Sequence, residues 1–597
     1  MRPVLFLRRP SRCLACLALA LTLTLALDAH SAVFHVAERH AAAADDAPGT
    51  LHQPWKTIAR AATQAGPGDT VLVHGGVYRE RVLIEKNGTA TNPLRFEAAP
   101  GEHVVLTGAD QLTGWTRHDP ALPIYRIAWP HRFIGWSPQM THPGDTYHQL
   151  IGRCEQVMVD GYALRQVLDA AQLSPGTFYV DITNKALLVW DIGNRDPNKT
   201  LVEGSVRQEI LKVTGSHVRV RGMTFRYAAN MAQHGAVVMA GGHGILEHCA
   251  VERMNASGAT FLSTNLLVSH CVFRDNGQLG FGANGAHDLL FTGCLVENNN
   301  VKGFDRGWEA GGNKLVLCRN AVLERSRFLR NRGQGVWFDI GNEHCTVRNC
   351  LIAENEDGGI FYEISFGLQA HDNVIARNGF AVTPGAWGAQ AGIVLSSSPN
   401  SVIERNLLVG NREGFNFREQ TRTTPRIGHQ QEIPVWNHDQ VIRNNIIACN
   451  RDAQVWGWFD VADGRHWPAG TATNTSPGTA ARPADIAAPY LAKPAQPQNL
   501  TLEDLHLSFS ENIYFAAPGQ GLIAWGTTWS RHQRYTTLAG FEALGIDQGS
   551  RVMDPGFADV TADDYRLPEA QMRQLERAYP RGEVPGVLLG RLPANTR

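Results

Sequence analysis

The chain has 597 residues, of which 43% are hydrophobic and 19% are charged, and its formal net charge is −1. This balance excludes an intrinsically disordered protein and argues against a nucleic-acid binder that works by neutralising phosphates. Glycine and proline make up 89 residues, about 15% of the chain, without a Gly-X-Y period, which excludes collagen and predicts many turns. The length fits either three or four domains or one long repeat architecture.

The N-terminus has the pattern of a secretion signal. Four arginines lie within residues 2–12, and the uncharged run Leu14–Leu27 follows them. Because this run is too short to span a bilayer with margin, residues 1–32 are predicted to be a cleaved signal peptide. The mature protein is then expected to be secreted or periplasmic, without a membrane partner. An uncleaved membrane anchor is the alternative, since His30 is unusual beside a cleavage site.

The next region, residues 33–108, predicts a cap and the first coils of a solenoid. Within Pro54–Ala65 the apolar residues recur at helical spacing, and a strand at Thr70–Val73 follows. A short helix here would hide the unpaired edge of the first coil. The residues at helical spacing are Ile58, Ala61, Ala62 and Ala65.

Two further regions depart from the coil rhythm. Residues 109–206 contain hairpin-like segments such as Gln156–Asp160 and Phe178–Asp181, which predict a small β-sandwich-like module inserted between the early and central coils. Residues 461–500 are rich in alanine, proline, threonine and glycine and predict a long loop. Residues 461–597 are therefore expected to form loop-rich C-terminal coils.

An internal repeat organises residues 207–460. Most of its units have 22 to 24 residues, and three longer units have 32, 33 and 39. Units of this length with short apolar runs and no helical period are typical of a right-handed parallel β-helix, so an all-β fold is predicted. The repeating position is occupied by Cys249, Cys271, Cys294, Ser326, Cys350, Asn373, Asn406 and Asn445. All but the first are followed five residues later by Asn276, Asn299, Asn331, Asn355, Asn378, Asn411 and Asn450.

The cysteines of this repeat are interpreted as small residues stacked inside the coils. Their spacing fits neither a compact disulfide framework nor a zinc site. Disulfides remain the alternative. No cofactor is predicted, and a structural Ca²⁺ is left open.

Aligning the coils on their turn glycines places two carboxylates at one position. Gly335–Asp339 and Gly359–Glu363 share a pattern whose alternation puts Asp339 and Glu363 on the outer face. Adjacent parallel strands lie about 4.8 Å apart, so the carboxylates are expected within about 5 to 6 Å of each other. Close like charges raise the pKa of one carboxyl, and a separation of about 5 to 5.5 Å suits a retaining glycosidase. Outward carboxylates on a solvated sheet are also common without any catalytic role.

The three longer units lie next to the coils that carry this pair. Their extra residues are therefore predicted to wall a cleft around it, and tryptophan rings in such a cleft suit the apolar faces of sugars. Each tryptophan taken singly is more often a packing residue than a ligand contact. The inserted loops contain Trp308, Glu309, Trp387 and Trp436.

At these residues the chain resembles the parallel β-helix β-xylosidases of glycoside hydrolase family 120. The specific matches are Gly307–Lys314, Gly335–Asp339 and Tyr362–Gly367. A further match, Gly68–Glu80, is shared by many β-helix proteins and says little about activity. The chain departs from those xylosidases at Trp308, where a polar ring is expected, and in its loops 379–391 and 419–440, which leaves the sugar open.

The resemblance implies a retaining hydrolase that acts on an oligosaccharide or polysaccharide. Asp339 would be the nucleophile and Glu363 the general acid/base, while Glu309 would accept hydrogen bonds from sugar hydroxyls. Four further residues complete the predicted substrate-binding set, because they lie near this position or on the same outer face: Trp308, Lys314, Trp337 and Arg418.

Two other classes of function stay open at this stage. A polysaccharide lyase on uronate polymers would use Arg418 or Lys314 as its base, usually with Ca²⁺. The sequence shows neither further stacked acids beside the pair nor an obvious basic groove for a polyanion. A non-catalytic adhesin or carbohydrate-binding β-helix would keep its ligand after either carboxylate is removed.

Overall fold

A computed structural model describes residues 31–133, 153–381, 390–419, 422–429, 431–459, 505–527, 531–543, 545–559, 564–565 and 567. The expected signal peptide, apart from its last two residues, and the predicted loop at 461–500 lie outside the described residues. Among the residues that are described, no helix is both long and apolar enough to cross a membrane.

Three long sheets form the walls of a parallel β-helix. Each complete coil contributes one strand to sheet A, one to sheet B and one to sheet C, in that order along the chain. Neighbouring strands within each sheet come from successive coils and pair in parallel, except for the last pair of sheet C, which is antiparallel.

Every strand of the three sheets lies next to the strand of the following coil. In spatial order, sheet A consists of Val33–Val36, Thr70–Val73, Leu94–Ala98, Val218–Arg221, Ile245–Glu247, Leu267–Ser269, Leu290–Thr292, Val322–Glu324, Thr346–Arg348, Gln369–His371, Val402–Glu404, Gln440–Arg443, Leu507–Ser510 and Asp547–Gln548. Sheet B consists of Gly76–Tyr78, Val104–Thr107, Met223–Arg226, Ala250–Glu252, Val272–Arg274, Leu295–Glu297, Arg327–Leu329, Leu351–Ala353, Val374–Ala376, Leu407–Val409, Ile446–Ala448, Ile513–Phe515 and Arg551–Val552. Sheet C consists of Val82–Ile84, Leu211–Val213, Gly235–Met239, Ser257–Phe261, Leu279–Asn284, Gly311–Val316, Val336–Asp339, Ile360–Glu363, Ala391–Ser396, Glu413–Glu419, Ala453–Phe459, Ile523–Thr527 and Arg531–Tyr535.

Apolar side chains at alternate strand positions fill the inside of the coils. In sheet C, for example, Phe338 and Tyr362 are both fully buried, and their ring centroids lie 5.3 Å apart. The eight described cysteines are buried and free. The interpretation of Cys249 to Cys350 as small residues packed inside the coils is therefore confirmed, and the disulfide alternative is wrong for them.

Asparagine side chains form a ladder along the turn between sheets B and C. Each Nδ2 up to that of Asn411 donates to the Oδ1 of the asparagine in the next coil, as Asn331 does to Asn355 at 2.9 Å and Asn355 to Asn378 at 2.8 Å. The last, Asn450, donates to Oε1 of Gln454. Each Nδ2 also donates to a backbone carbonyl of the preceding coil, which for Asn355 is that of Phe328 at 3.0 Å. The ladder thus fixes the register between coils with buried, mutually satisfied amides. Its members are Asn276, Asn299, Asn331, Asn355, Asn378, Asn411 and Asn450.

The predicted capping helix is present as Ile58–Gln64. Its buried face packs against the first strands of sheets A and C. Thr57 caps its N-terminus by accepting a hydrogen bond from the Arg60 amide, and the Glu80 carboxylate accepts two more from the first turn. The other described helices are short: Ala170–Gln172, Pro197–Lys199 and Ala539–Glu542.

A separate module interrupts the coils between the second and third strands of sheet B. Two sheets face each other around an apolar core that includes Trp129, Val157, Phe178 and Leu187. One sheet has the order Tyr162–Ala163, Val157–Val159, Val202–Ser205 and Ala109–Gln111, and the other has the order Arg165–Val167, Thr177–Asp181, Ala186–Trp190, Tyr125–Ala128 and Thr116–Arg117. The prediction of an all-β parallel β-helix with a capping helix and an inserted β-sandwich-like module is confirmed.

The asparagine ladder leads to a stability prediction. In Asn355→Asp, a carboxylate oxygen takes the place of the amide nitrogen that donates two buried hydrogen bonds. This oxygen would face two acceptors, the carbonyl of Phe328 and Oδ1 of Asn378. We expect it to lower the free energy of unfolding by about 3 kcal/mol or more, since a buried charge would be left unpaired. Chemical denaturation measures the change. The matched change at the exposed Asn400, Asn400→Asp, should be nearly neutral, and an equal loss at both positions would contradict a structural role for the ladder.

Candidate active site on the outer face of sheet C

Asp339 and Glu363 end two neighbouring strands of sheet C, Val336–Asp339 and Ile360–Glu363. The two strands pair in parallel from their first residues, so the carboxylates stand side by side. This is the arrangement that the alignment of the coils predicts. Both residues are largely shielded from solvent, with only 8% of their surface exposed.

Asp339 is held by one cation and has one oxygen without a partner. Its Oδ2 lies 2.9 Å from the Nζ of Lys314, whereas its buried Oδ1 accepts no hydrogen bond from a described residue. Burial raises the pKa of Asp339 to about 6, with a further contribution from the negative charge of Glu363, although Lys314 acts in the opposite direction. A proton is therefore held on this carboxyl up to a much higher pH than on an ordinary aspartate.

The pKa of Glu363 is lowered, in contrast to that of Asp339, because two guanidinium groups lie close to its carboxylate. Burial by itself would raise its pKa, but the charges of Arg422 and Arg418 outweigh burial and lower it. Arg422 also donates a hydrogen bond from Nη1 to Oε1 at 2.8 Å. The two neighbouring carboxyls thus differ in their affinity for a proton, which is the usual basis of an acid/base division of labour.

Lys314 links the pair to a third carboxylate. Its Nζ lies 3.1 Å from Glu309 as well as 2.9 Å from Asp339, and it stands 4.2 Å above the ring of Trp337. Burial acts to lower the pKa of Lys314, but the two carboxylates outweigh this and raise it, so the ammonium stays charged. Glu309 has a left-handed backbone with φ +63°, a conformation that is uncommon outside glycine and that turns its side chain toward Lys314.

The loop between strands Leu295–Glu297 and Gly311–Val316 carries Trp308 and Glu309. Trp308 is only 9% exposed and packs against Ala232 and Phe304. The ring therefore supports the loop, and a direct contact between Trp308 and substrate stays a prediction.

Two other predicted substrate contacts lie on the outer face as expected. Trp337 stacks on Phe361, with ring centroids 5.5 Å apart, and both rings are buried. Arg418 is opposite Ser396, which is itself opposite Glu363, and burial lowers the pKa of its guanidinium to about 10. Arg418 thus acts on Glu363 through its charge across one strand.

The sequence did not identify Arg422 as a site residue. It begins a hairpin, Arg422–Pro425 and Glu432–Val435, which is inserted after strand Glu413–Glu419. The hairpin is anchored by a 2.7 Å ion pair between Arg426 and Glu343. The 39-residue length of this repeat unit indicated an insertion. No local sequence pattern indicated which of its arginines contacts the carboxylates of Asp339 and Glu363. Trp436 follows this hairpin and lies beside His438, whereas Trp387 lies outside the described residues.

Several buried polar atoms on this face have no hydrogen-bond partner among the described residues, and they include Oδ1 of Asp339, Oγ of Ser396 and Nε1 of Trp337. Such atoms are rare in folded proteins, and hydroxyl groups of a bound sugar would satisfy both donors and acceptors. Within the described part of the chain, no group of three or more histidine, cysteine or acidic side chains is arranged to hold a metal ion.

Comparison with known proteins supports the fold. Residues 209–387 match the family described as right handed beta helix region. A solved structure described as "The complex structure of XylC with xylose" has a TM-score of 0.61 and 18% identity, and the match covers 88% of this chain and 87% of that one. At this identity the likeness shows a shared fold.

Two curated proteins match short stretches. Pectate lyase PEL9 of Emericella nidulans is 38% identical over 68 residues, which are 11% of this chain and 17% of that protein. The uncharacterized protein YwoF of Bacillus subtilis strain 168 is 34% identical over 64 residues, which are 11% of this chain and 14% of that protein. The chain therefore covers less than a fifth of the length of either relative.

The pKa of Glu363 can be tested through stability. Because the folded-state pKa lies below the unfolded value, the ionised carboxylate stabilises the fold above about pH 4.3 and this contribution is lost as the pH falls through the folded pKa. We expect Arg422→Gln to lower the free energy of unfolding by about 1–3 kcal/mol at neutral pH and by progressively less as the pH falls below about 4.3 toward the folded-state pKa of Glu363. Thermal unfolding across this range measures the difference.

The control for this experiment is the same change in a Glu363→Gln background. There Arg422→Gln should lose the pH-dependent part of its effect, because no carboxylate remains to be stabilised. A stability loss that is equal at neutral and acid pH would show instead that Arg422 acts through its other contacts.

Proposed function

We propose that the protein is a retaining glycoside hydrolase, β-xylosidase-like, that acts on oligosaccharides derived from plant-type or bacterial polysaccharides. The observation that carries the proposal is the pair Asp339 and Glu363, side by side on adjacent strands with their pKa values shifted in opposite directions. Adjacent parallel strands lie about 4.8 Å apart. This spacing is similar to the separation of about 5 to 5.5 Å between the two carboxyl groups of retaining glycosidases.

The reaction needs the pair to carry one proton. One carboxylate attacks the anomeric carbon, while the other, as a carboxylic acid, protonates the departing glycosidic oxygen. The second carboxyl, now ionised, then takes a proton from water, which attacks the glycosyl–enzyme bond and releases the sugar. The first carboxylate is restored as the leaving group, so no other reactant is consumed.

The two roles can be divided in two ways. The resemblance to xylosidases makes Asp339 the nucleophile and Glu363 the acid/base. The charges around the site favour the reverse, since Arg422 and Arg418 stabilise ionised Glu363 while burial keeps Asp339 protonated. For the first division to operate, a bound substrate must draw Arg422 away from Glu363, which would raise the pKa of Glu363.

The remaining charged groups suit substrate positioning. Glu309 is a quarter exposed and can accept hydrogen bonds from sugar hydroxyls, while Lys314 holds both Glu309 and Asp339. The unpartnered atoms of Ser396 and Trp337 supply further sites for hydroxyl groups. The fold shared with a xylose complex makes aryl xylosides the first substrates to test.

Removing either carboxylate should abolish turnover. We expect Asp339→Asn and Glu363→Gln to lower kcat by at least about 10³-fold on an unactivated substrate, because each step of the reaction uses both groups. Sugar release from unsubstituted xylo-oligosaccharides, with measured kcat and KM, is the assay. Glu404→Gln removes an ion-paired carboxylate from sheet A and should leave activity unchanged. Full activity in either site variant would exclude the proposed mechanism.

Azide rescue distinguishes the two divisions of roles. An alanine variant at the acid/base position should keep its first step on substrates with good leaving groups, and azide should give a glycosyl azide of retained configuration. An alanine variant at the nucleophile position should give a glycosyl azide of inverted configuration. A retained product from Glu363→Ala supports the division implied by the resemblance, and a retained product from Asp339→Ala supports the reverse.

The pH dependence follows from the shared proton. The pair loses its last proton as the pH rises through the pKa of Asp339, which is about 6, so kcat/KM should fall on the alkaline side near this pH. This limb should move to higher pH in Arg422→Gln, because removing a cation raises the pKa of the pair. A profile that stays flat to about pH 8 would contradict catalysis by a singly protonated pair.

A polysaccharide lyase is the second candidate. The specific observation in its favour is the buried Arg418, whose lowered pKa moves toward that of a base. Incubation with uronate polymers should then produce an unsaturated-uronate absorbance that Arg418→Gln abolishes and Asp339→Asn leaves in place. Release of reducing sugar without that absorbance favours the hydrolase, and binding without any cleavage favours a non-catalytic β-helix.

A further inference from the structure

A cavity of about 930 Å³ lies between the inserted module and the coils of the β-helix. Its wall on the module side runs from Arg153 to Phe178, and its wall on the β-helix side includes Tyr227, Arg253 and Phe304. The volume is near the upper end of the about 300–1,000 Å³ of small-molecule sites. None of its lining residues belongs to the candidate active site.

The acidic side chains of this cavity already have partners. Glu155 is bound by Arg153 at 3.2 Å and accepts a hydrogen bond from Gln166 at 3.1 Å. Asp160 forms a 2.6 Å ion pair with Arg195. Asp275 likewise accepts a hydrogen bond from Asn298 at 2.6 Å. Each of these three carboxylates therefore already has an ion pair or a hydrogen bond within the protein.

Lys302 and Arg165 line the same cavity and form no ion pair with a described residue. Lys302 is exposed at the cavity wall and donates to the amide oxygen of Asn255, and an ammonium group has further donors to offer a ligand. Arg165 is exposed at the cavity wall as well. An anion in the cavity would stabilise both groups.

An exposed aromatic ring stands at the cavity as well. Tyr162 is 75% exposed and follows a two-residue turn in which Asp160 and Gly161 both have positive φ, at 50° and 81°. This is the tight turn that rigidifies β-hairpins, so the ring is presented on a fixed support. Aromatic side chains with one polar end suit the apolar face of a sugar.

We propose that this cavity is a second carbohydrate site, which binds an oligosaccharide that carries a carboxylate. Lys302 and Arg165 hold the carboxylate, and Tyr162 packs against a sugar ring. Charge complementarity selects the acidic ligand, because a carboxylate can form charge-assisted hydrogen bonds with both cations and a neutral saccharide cannot. The site goes beyond the proposed hydrolase, since its residues take no part in the reaction.

Isothermal titration calorimetry on the full chain tests this proposal. The probes are xylotriose, xylotriose with one glucuronic acid branch, and trigalacturonate, so that the acidic group is varied on the same backbone and on another one. The protein carries Asp339→Asn to prevent turnover. We expect both acidic probes to bind at least about tenfold more tightly than xylotriose.

The variants separate this cavity from the candidate active site. The double change Lys302→Gln with Arg165→Gln, and separately Tyr162→Ala, should each weaken acidic probes at least about tenfold. Lys199→Gln, at an exposed lysine of the same module outside the cavity, should have no effect. Tyr162 is too exposed for its loss to unfold the module, and thermal unfolding checks all variants.

Three results would overturn the proposal. They are the absence of binding by either acidic probe at millimolar concentration, equal binding of neutral and acidic probes, and acidic binding that the cavity variants leave unchanged. The last result, together with loss of binding in Glu363→Gln, would place the anion at the candidate active site. Failure of hydrolysis alone would leave the calorimetric result intact, so the two proposals fail separately.

Discussion

The register between successive coils is the constraint on which the rest of the structure depends. Parallel backbone pairing sets the spacing between coils, and the buried asparagine ladder removes the freedom to slip, because each amide bonds both to its neighbour and to a backbone carbonyl. A slip of one residue would turn Asp339 into the coil and Phe338 out to solvent. The side-by-side position of Asp339 and Glu363 therefore follows from the register that the ladder fixes.

Holding two carboxylates side by side and out of water is unfavourable unless cations balance them. Lys314 reaches Asp339 from the preceding strand, while Arg422 reaches Glu363 from a hairpin inserted far along the chain. The two cations meet different carboxyls, and the second carboxyl also faces Arg418. This asymmetry separates the two pKa values, and it gives the pair one proton over a range of pH in which acid/base chemistry can proceed.

Insertions between the strands bring side chains to the regular outer face of sheet C that the repeat itself does not supply. The loop before strand Gly311–Val316 brings Glu309 to Lys314, and the same loop carries Phe304, which lines the cavity beneath the inserted module. Trp308 packs on Phe304 between these two places. One loop thus lies between the candidate active site and the cavity of the proposed acidic-saccharide site.

The amino-acid sequence by itself determined the coils, the capping helix, the inserted module and the shared position of Asp339 and Glu363. These features arise from local periodicity: alternation within strands, a repeat of 22 to 24 residues, and helical spacing at Ile58 and Ala61. Only the tertiary structure decided that Trp308 is packed, that Arg422 binds Glu363, and that Asp339 holds its proton more tightly. Those properties depend on burial and on charged side chains that distant insertions bring to the site. The spacing of residues along the chain determines neither of these.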